Sequence, residues 1–176
     1  MPRNIGISVV VLSALALTAG AVMAANPQFK RNGEPTFTDE GTRLAVSATL
    51  TGLGNGNLNV DMQTTGTTVG NTCTSPGGNV APGQNPATPV SPAVSATLTP
   101  DKNGNLTFTL RTEAPVITPQ QAGCPNKNWA ASYTDVVFFT ASVRIRQAET
   151  AFDVTCEATF PSSGTENGVT YSSTCR

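Results

Sequence analysis

Histidine is absent from this chain of 176 residues, and its absence limits the chemistry that the chain could perform. Histidine is the commonest general base in enzymes and a member of every serine–histidine or cysteine–histidine pair. Acid–base catalysis would therefore depend on carboxylates, and a glycoside hydrolase needs two of them roughly 5 to 10 Å apart in a cleft. The candidates are Asp39, Glu40, Asp61, Glu113, Asp135, Asp153 and Glu157.

These carboxylates are better explained as surface charges. Asp61, Asp153 and Glu157 fall on predicted solvent-facing strand positions, and Asp39 and Glu40 fall in a predicted turn. Charged residues usually occupy such exposed positions. We therefore predict that the protein is not an enzyme, and a carboxylate-dependent glycan hydrolase is the alternative hypothesis.

Neither a metal site nor a cofactor is predicted. The chain lacks histidine and has no closely spaced cysteine pair of the kind that zinc sites use. Residues 101–105 superficially resemble a calcium-binding loop, but Gly104 stands too early and Thr112 occupies the place of the bidentate glutamate. A hairpin turn explains this segment better.

A candidate ligand-binding site surrounds the only tryptophan of the chain. Residues 124–129 place Trp129 beside amide side chains, and a second loop carries further amides. Aromatic rings beside amide donors are used for sugar or peptide recognition. The alternative is that Trp129 packs in the core beside a disulfide. The predicted site residues are Trp129, Tyr133, Asn126, Asn128, Gln84 and Asn85.

The N-terminal segment has the layout of a secretory signal peptide. Arg3 precedes an apolar run over residues 5–17, and small residues follow at positions 21–25. An uncleaved membrane anchor is the alternative, but Ser8, Ser13 and Gly20 interrupt the segment. We predict a signal peptide over residues 1–24, cleavage after Ala24, and a single secreted domain over residues 25–176 that has no contact with the membrane.

The composition of the remaining chain favours an extracellular β-protein and excludes a nucleic-acid partner. Charged residues make up only 12% of the sequence, and loss of Arg3 changes the formal charge from −1 to −2. Binding to phosphates needs a basic stripe, and the sequence shows none. A domain of about 150 residues is also long enough to bury a core of its own.

Alternation of apolar and polar residues with a period of two predicts half-buried antiparallel strands. Two hairpins are predicted from this pattern. The first pairs Leu50 with Leu58 across a turn at residues 52–57, and the second pairs Leu98 with Phe108 across a turn closed by Asp101 and Asn105. In each hairpin the apolar side chains fall on one face.

The C-terminal third predicts three consecutive strands that form a meander. They cover residues 136–146, 152–160 and 169–175, and the last two are separated by a turn at residues 161–168. With weaker segments the count reaches seven to nine short strands. We predict an all-β fold, a two-sheet sandwich of immunoglobulin-like type, with a small barrel as the alternative.

The predicted register of the last hairpin selects one pairing of the four cysteines. It places Cys156 opposite Cys175, within reach of a disulfide, which leaves Cys73 to pair with Cys124. The second bridge would tie residues 75–92 to residues 113–133. Both segments are unusually long for structureless loops, and such loops are either functional or poorly ordered.

Four short motifs resemble a family of small exported bacterial proteins of unknown function. They are residues 35–39 (PTFTD), 52–57 (GLGNGN), 82–86 (PGQNP) and 123–126 (GCPN). The resemblance covers residues 35–129 and implies a secreted β-rich domain with no assigned activity. It transfers no functional residue to this chain.

Together these features predict a secreted, disulfide-linked β-sandwich that binds an extracellular glycan or protein through its loop end. A structural coat or envelope component that associates with itself is a further hypothesis. In either case the partner is not specified by the residues.

Overall fold

The computed structural model describes residues 25–148 and 150–176. The predicted signal peptide lies outside these residues. Every regular element in the described part is a β-strand, so the all-β prediction is confirmed. Within the same residues there is no helix that is long and apolar enough to cross a membrane.

The strands range in length from 2 to 13 residues. In chain order they are β1 (Gln28–Phe29), β2 (Thr36–Asp39), β3 (Leu44–Thr51), β4 (Leu58–Val69), β5 (Thr72–Thr74), β6 (Val80–Pro82), β7 (Ala87–Val90), β8 (Ala93–Leu98), β9 (Leu106–Arg111), β10 (Ala130–Ser132), β11 (Asp135–Gln147), β12 (Asp153–Thr159), β13 (Thr170–Ser172) and β14 (Thr174–Cys175).

Two large antiparallel sheets form the sandwich. The front sheet is centred on β3. One edge of β3 pairs with β9, and its other edge pairs with β1 and β2. The far edge of β2 pairs with β13. The back sheet has the order β14-β12-β11-β4, and β7 and β8 both lie beside β4. A small third sheet, β10-β5-β6, stands at one end.

The core lies between the two large sheets and is built from alternate residues of their strands. Leu44, Val46 and Leu50 of β3 are fully buried, as are the corresponding side chains of β4 and β11. Each such side chain stabilises the fold by about 1.5 to 3 kcal/mol relative to exposure. The largest fully buried side chains are Phe37, Phe138, Leu44, Leu50, Leu53, Leu58, Met62 and Ile145.

The two predicted hairpins are wrong in their pairing. β3 lies in the front sheet and pairs with β9, whereas β4 lies in the back sheet and pairs with β8. Each turn is therefore a β-arch, a loop that carries the chain from one sheet to the other. The apolar faces of two consecutive strands can lie side by side in a hairpin or opposite each other across a sandwich core. Alternation of apolar residues therefore does not distinguish a hairpin from an arch.

The two arches contact each other at one end of the sandwich. The backbone N–H of Leu53 donates to the carbonyl of Gly104 at 3.0 Å. The turn of the second arch is as predicted: the N–H of Asp101 donates to the carbonyl of Asn105 at 2.8 Å, and Gly104 has a φ of +73°. Gln147 holds the first arch, since its Nε2 donates to the carbonyls of Leu53 and Gly56.

The predicted C-terminal hairpin is correct at the disulfide and wrong beyond it. Cys156 lies directly opposite Cys175, and the two are bonded. The next residues leave the back sheet, because β13 pairs with β2 in the front sheet. Phe160 therefore does not pair with Tyr171 along a ladder. Their rings instead meet between the sheets, with centroids 4.9 Å apart.

A β-bulge in β11 explains why both of its faces look apolar in sequence. The register with β4 shifts between Phe138 and Thr140. Val136 and Phe138 face the core before the bulge, and Ala141 and Val143 face it afterwards. One extra residue is thus accommodated without exposing the second half of the strand, as bulges allow.

Candidate functional site

The loop end that was predicted as a binding site is held by the Cys73–Cys124 disulfide. Cys73 lies on β5 and forms a second buried cluster with Ile117 and Ala122. Residues 75–92 are not structureless, since they contain β6 and β7. The long segment before β10 is fixed to this cluster rather than free.

Both aromatic residues of the predicted site serve this second cluster. Trp129 and Tyr133 are half-buried and pack against it. The Tyr133 hydroxyl donates to the carbonyl of Pro115 at 2.5 Å, and burial raises the pKa of this phenol. The packing alternative for Trp129 therefore describes its contacts, and the Tyr133 hydroxyl is already used as a donor.

The amide residues of the predicted site divide between structural bonds and solvent. Asn85 binds the neighbouring loop, because its Nδ2 donates to the carbonyl of Gln121 at 2.9 Å. Asn126 accepts from the backbone N–H of Asn128 at 3.0 Å. The side chains of Gln84 and Asn128 are exposed. The structure thus brings Gln84 and Asn85 against the Cys124 loop, and the groove described below includes none of the six residues.

A buried polar network, which the sequence did not indicate, holds the same region together. Asn71 Nδ2 donates to Thr88 Oγ1 and to the carbonyl of Asn85, both at 2.9 Å. The Thr68 hydroxyl donates to Asn71 Oδ1 at 2.8 Å. All three side chains in this network are almost fully buried. Buried and satisfied networks of this kind fix one arrangement of the chain, which makes the region a scaffold.

A concave surface lies elsewhere, on the outer face of the back sheet. We call it the back-face groove. Its main part has a volume of about 470 Å³, and an adjoining part of about 370 Å³ shares Gln63, Ala93 and Ser142 with it. The size falls within the range of small-ligand sites, about 300 to 1,000 Å³. The principal lining residues are Gln63, Thr65, Ala93, Thr140, Ser142 and Glu157.

The local sequence explains why a groove forms there. Small side chains at Ala93 and Ser142 leave the centre of the face low. The bulge of β11 lies beside Thr140, and the edge opposite it is broken between β7 and β8 at Pro92. A bulge bends its strand and increases the local twist of the sheet, which favours curvature of the face at this point.

Ion pairs surround the groove and neutralise its charge. Arg144 on β11 pairs with Asp153 at 2.5 Å, Arg146 with Asp61 at 3.4 Å and Arg176 with Glu157 at 2.8 Å. The hydrogen bonds from Arg144 hold the pKa of Asp153 below its ordinary value. Each positive group that flanks the groove is therefore balanced by a carboxylate on a neighbouring strand.

These pairs bear on the hydrolase hypothesis. Asp61, Asp153 and Glu157 each face an arginine, and Glu40 and Glu113 pair with Arg111 and Arg43 on the front sheet. A glycosidase acid needs a carboxyl with a raised pKa beside the substrate. Of these carboxylates, Glu157 lines the main part of the groove, where it is paired with Arg176.

Asp39, one of the carboxylates considered as a catalytic candidate, has a raised pKa, but it is buried away from the groove. It is 1% exposed at the end of β2, and its Oδ1 accepts from the backbone N–H of Gly41 at 2.7 Å. Burial raises its pKa, hydrogen bonds from Thr165 and Gly41 oppose the rise, and the negative charge of Asp135 adds to it. The placement of Asp39 in an exposed turn was wrong. Its contacts stabilise the fold and leave no access to a substrate.

The part of the chain described by the structure contains no cluster of three or more histidine, cysteine or acidic residues that could hold a metal ion. The Asp101 carboxylate instead accepts from the backbone N–H groups of Asn103 and Asn105, at 2.9 and 2.8 Å. These hydrogen bonds lower the pKa of Asp101, and the bond from Asn105 has the largest effect. They close the turn of the second arch.

Comparison with known proteins gives little further information. No protein-family model matches the chain, and no curated protein matches it. Among solved structures, the chain is similar to a Bacteroides uniformis beta-glucuronidase with a TM-score of 0.30, and to a calcium-binding mutant of B. uniformis beta-glucuronidase 2 with a TM-score of 0.26. Both are 10% identical over 77% of this chain, which spans only 14% of theirs.

Proposed function

We propose that the protein is an exported, non-catalytic binding module that holds a neutral polar chain, a polysaccharide strand, in the back-face groove. The groove itself, a trough of about 470 Å³ that is lined by small apolar, hydroxyl and amide side chains on strands of the back sheet, is the observation that carries the proposal. Export is inferred from the leader sequence and from two disulfides, which persist in oxidising compartments. The four short motifs of residues 35–39, 52–57, 82–86 and 123–126 are the ground on which we place the chain with small exported bacterial proteins of unknown function.

The lining of the groove suits the hydroxyl groups of sugars. Gln63, Thr140 and Ser142 offer amide and hydroxyl groups that both donate and accept hydrogen bonds. They stand on β4 and β11, two central strands of a rigid sheet, and sites on strands hold their geometry better than sites on loops. Because the flanking arginines are already paired, a neutral ligand meets no unbalanced charge.

Two matched substitutions test the groove. Ser142→Trp fills its centre, whereas Ser47→Trp places the same bulk on the outer face of β3 in the front sheet. Binding is measured on a glycan array and on insoluble wall polysaccharides. Ser142→Trp is expected to weaken binding by at least about tenfold, or about 1.4 kcal/mol, and Ser47→Trp to leave it unchanged. Equal binding by both variants would remove the groove from the proposal.

A second comparison separates the groove from the loop end. Gln84→Ala and Asn128→Ala shorten the exposed amide side chains there without touching the buried network. Both variants are expected to bind like the wild type. Loss of binding in either one, with normal binding by Ser142→Trp, would return the site to the loop end.

Export has its own test. The protein recovered from the culture medium of its host is expected to begin at Ala25 when its intact mass is measured. A full-length mass, or recovery only from the cells, would contradict this part of the proposal.

A further inference from the structure

The outer edge of β9 is an open strand edge that lacks the usual protection against pairing. Among the described residues β9 pairs only with β3. It is six residues long and contains neither proline nor a bulge, and its first five residues carry no charge. Natural proteins normally protect such edges with short strands, proline, bulges or charged side chains.

The opposite side of the sandwich shows that protection. There the sheets end in β13 and β14, which are three and two residues long. The contrast marks the β9 side as the place where another strand could be added.

The backbone groups of β9 that face outward can be identified from its pairing with β3. The N–H of Thr112 donates to the carbonyl of Leu44, its direct partner, so alternate residues from Leu106 onward bond to β3. The N–H and C=O groups of Thr107 and Thr109 therefore point to the open edge. Thr49, which lies opposite Thr107, agrees with this assignment of the outward groups. Its backbone N–H and C=O bond to Gly33 and Lys30, on the side of β3 away from β9.

We propose that a second copy of this chain occupies this edge, through an antiparallel β9–β9 pair centred on Phe108. In this register Thr107 lies opposite Thr109 of the second copy, and their outward N–H and C=O groups bond reciprocally. Leu106 lies opposite Leu110 of the second copy. Two-fold symmetry requires such self-complementarity, and the sequence LTFTL is symmetric about Phe108.

Contacts inside the front sheet already show the side-chain pairing that the dimer would continue. The hydroxyls of Ser47 and Thr109 lie 2.8 Å apart, and those of Thr49 and Thr107 lie 3.1 Å apart. The new pairs would extend this row of hydroxyls over the outer face. No charged side chain from either copy opposes a like charge in this register, since Arg111 would face Asn105 of the second copy.

The neighbouring edge of β8 enlarges the contact. β8 and β9 are joined by the second arch, so both open edges lie on one side of the sandwich. Their core-facing side chains Val94, Leu98, Leu106 and Leu110 are only half-buried. Stable dimers bury roughly 1,200 to 2,000 Å². A contact over both edges would bury these apolar side chains in addition to the backbone of the β9–β9 pair.

Charge substitutions on β9 test the inference. Thr107→Lys/Thr109→Lys and Thr107→Glu/Thr109→Glu each place like charges opposite one another, while Thr107→Val/Thr109→Val removes the same hydroxyls without charge. Sedimentation velocity is measured over a range of protein concentrations, and circular dichroism checks the fold of each variant. Thr109→Pro, which removes an outward N–H and leaves the β3 ladder intact, is the second line of test.

The wild type and the valine variant are expected to dimerise with increasing concentration. The lysine and glutamate variants should dimerise at least about tenfold more weakly, and an equal mixture of the two should recover the dimer. A wild type that stays monomeric overturns the inference, in favour of a strand from another protein or of no partner. A dimer that is unaffected in the lysine variant, or in Thr109→Pro, overturns it too.

Discussion

At the scale of single residues, most conspicuous polar side chains in this protein serve the fold. Tyr133 bonds to Pro115, Asn85 bonds to Gln121, and Asp39 is bound by Gly41. Residue type alone suggested recognition for the first two and exposure for the third. The side chains of the groove are ordinary by type, because serine, threonine and glutamine occur all over the surface, and their significance comes from position.

Asp39 makes the stability of the protein dependent on pH in a direction unusual for a carboxylate. Its folded-state pKa is raised, so its contribution is fully present below the pKa of the unfolded chain and is lost as the pH rises through the folded pKa. We expect Asp39→Asn to gain in stability relative to the wild type as the pH is raised from about 4 to 7. Thermal unfolding at a series of pH values measures this difference.

Asp153 provides the control of opposite sign. Arg144 lowers its folded-state pKa, so its contribution is present above the unfolded pKa and is lost as the pH falls through the folded value. Asp153→Asn should therefore lose stability relative to the wild type at neutral pH, and the loss should shrink in acid. A relative stability of Asp39→Asn that falls as the pH rises would show that its carboxylate is not destabilised by burial.

At the scale of elements, the two β-arches determine which strands become neighbours. They send β4 and β8 into one sheet and β3 and β9 into the other. The arches fit together closely: a Cβ at Gly104 would lie 2.7 Å from the backbone nitrogen of Gly54. A residue that needs both a positive φ and this close approach admits only glycine.

Gly104→Ala and Gly78→Ala separate these two requirements. Both glycines have a positive φ, but a Cβ at Gly78 meets nothing within 4 Å. Gly78→Ala is expected to cost about 1 kcal/mol from backbone strain alone, and Gly104→Ala at least about 1 kcal/mol more, because the arches must move apart. Urea denaturation compares the two variants. Equal losses would mean that contact between the arches contributes nothing.

The Cys73–Cys124 bridge controls a separate element, the loop and small sheet at one end. It closes a loop of 51 residues, for which chain entropy gives about 4 kcal/mol. Its replacement by two alanines is expected to speed hydrogen exchange in residues 112–129 while the amides of β4 and β11 stay protected. Uniformly faster exchange would instead show that the second cluster and the main core unfold together.

At the scale of the whole molecule, the sequence predicted which strand faces are buried better than it predicted which strands pair with each other. Alternation at Leu44, Val46 and Leu50 identified a buried face correctly. It did not reveal that this face lies across the core from Leu58 and Val60 rather than beside them, because both arrangements bury the same atoms. Cys156 and Cys175 could be paired because a covalent bond requires close approach, a constraint that apolar side chains lack.

The candidate site was less accessible from sequence for a related reason. Ser142 and Gln63 are 79 positions apart, and they meet only because β11 pairs with β4 in one register. Both are polar residues beside apolar neighbours in the alternating pattern, but a groove depends on the shape of the sheet and on small side chains on several strands. The loop around Trp129 looked more informative because its aromatic and amide residues are close in sequence.

Nuclear magnetic resonance titration of the labelled protein with the polysaccharide that it binds best would test the central claim most directly. We expect the largest shift changes at the amides of Gln63, Thr140, Ser142 and Glu157, on the back face of the sandwich. Changes confined to residues 121–133, or no saturable change with any polysaccharide, would contradict the assignment of the groove as the binding site.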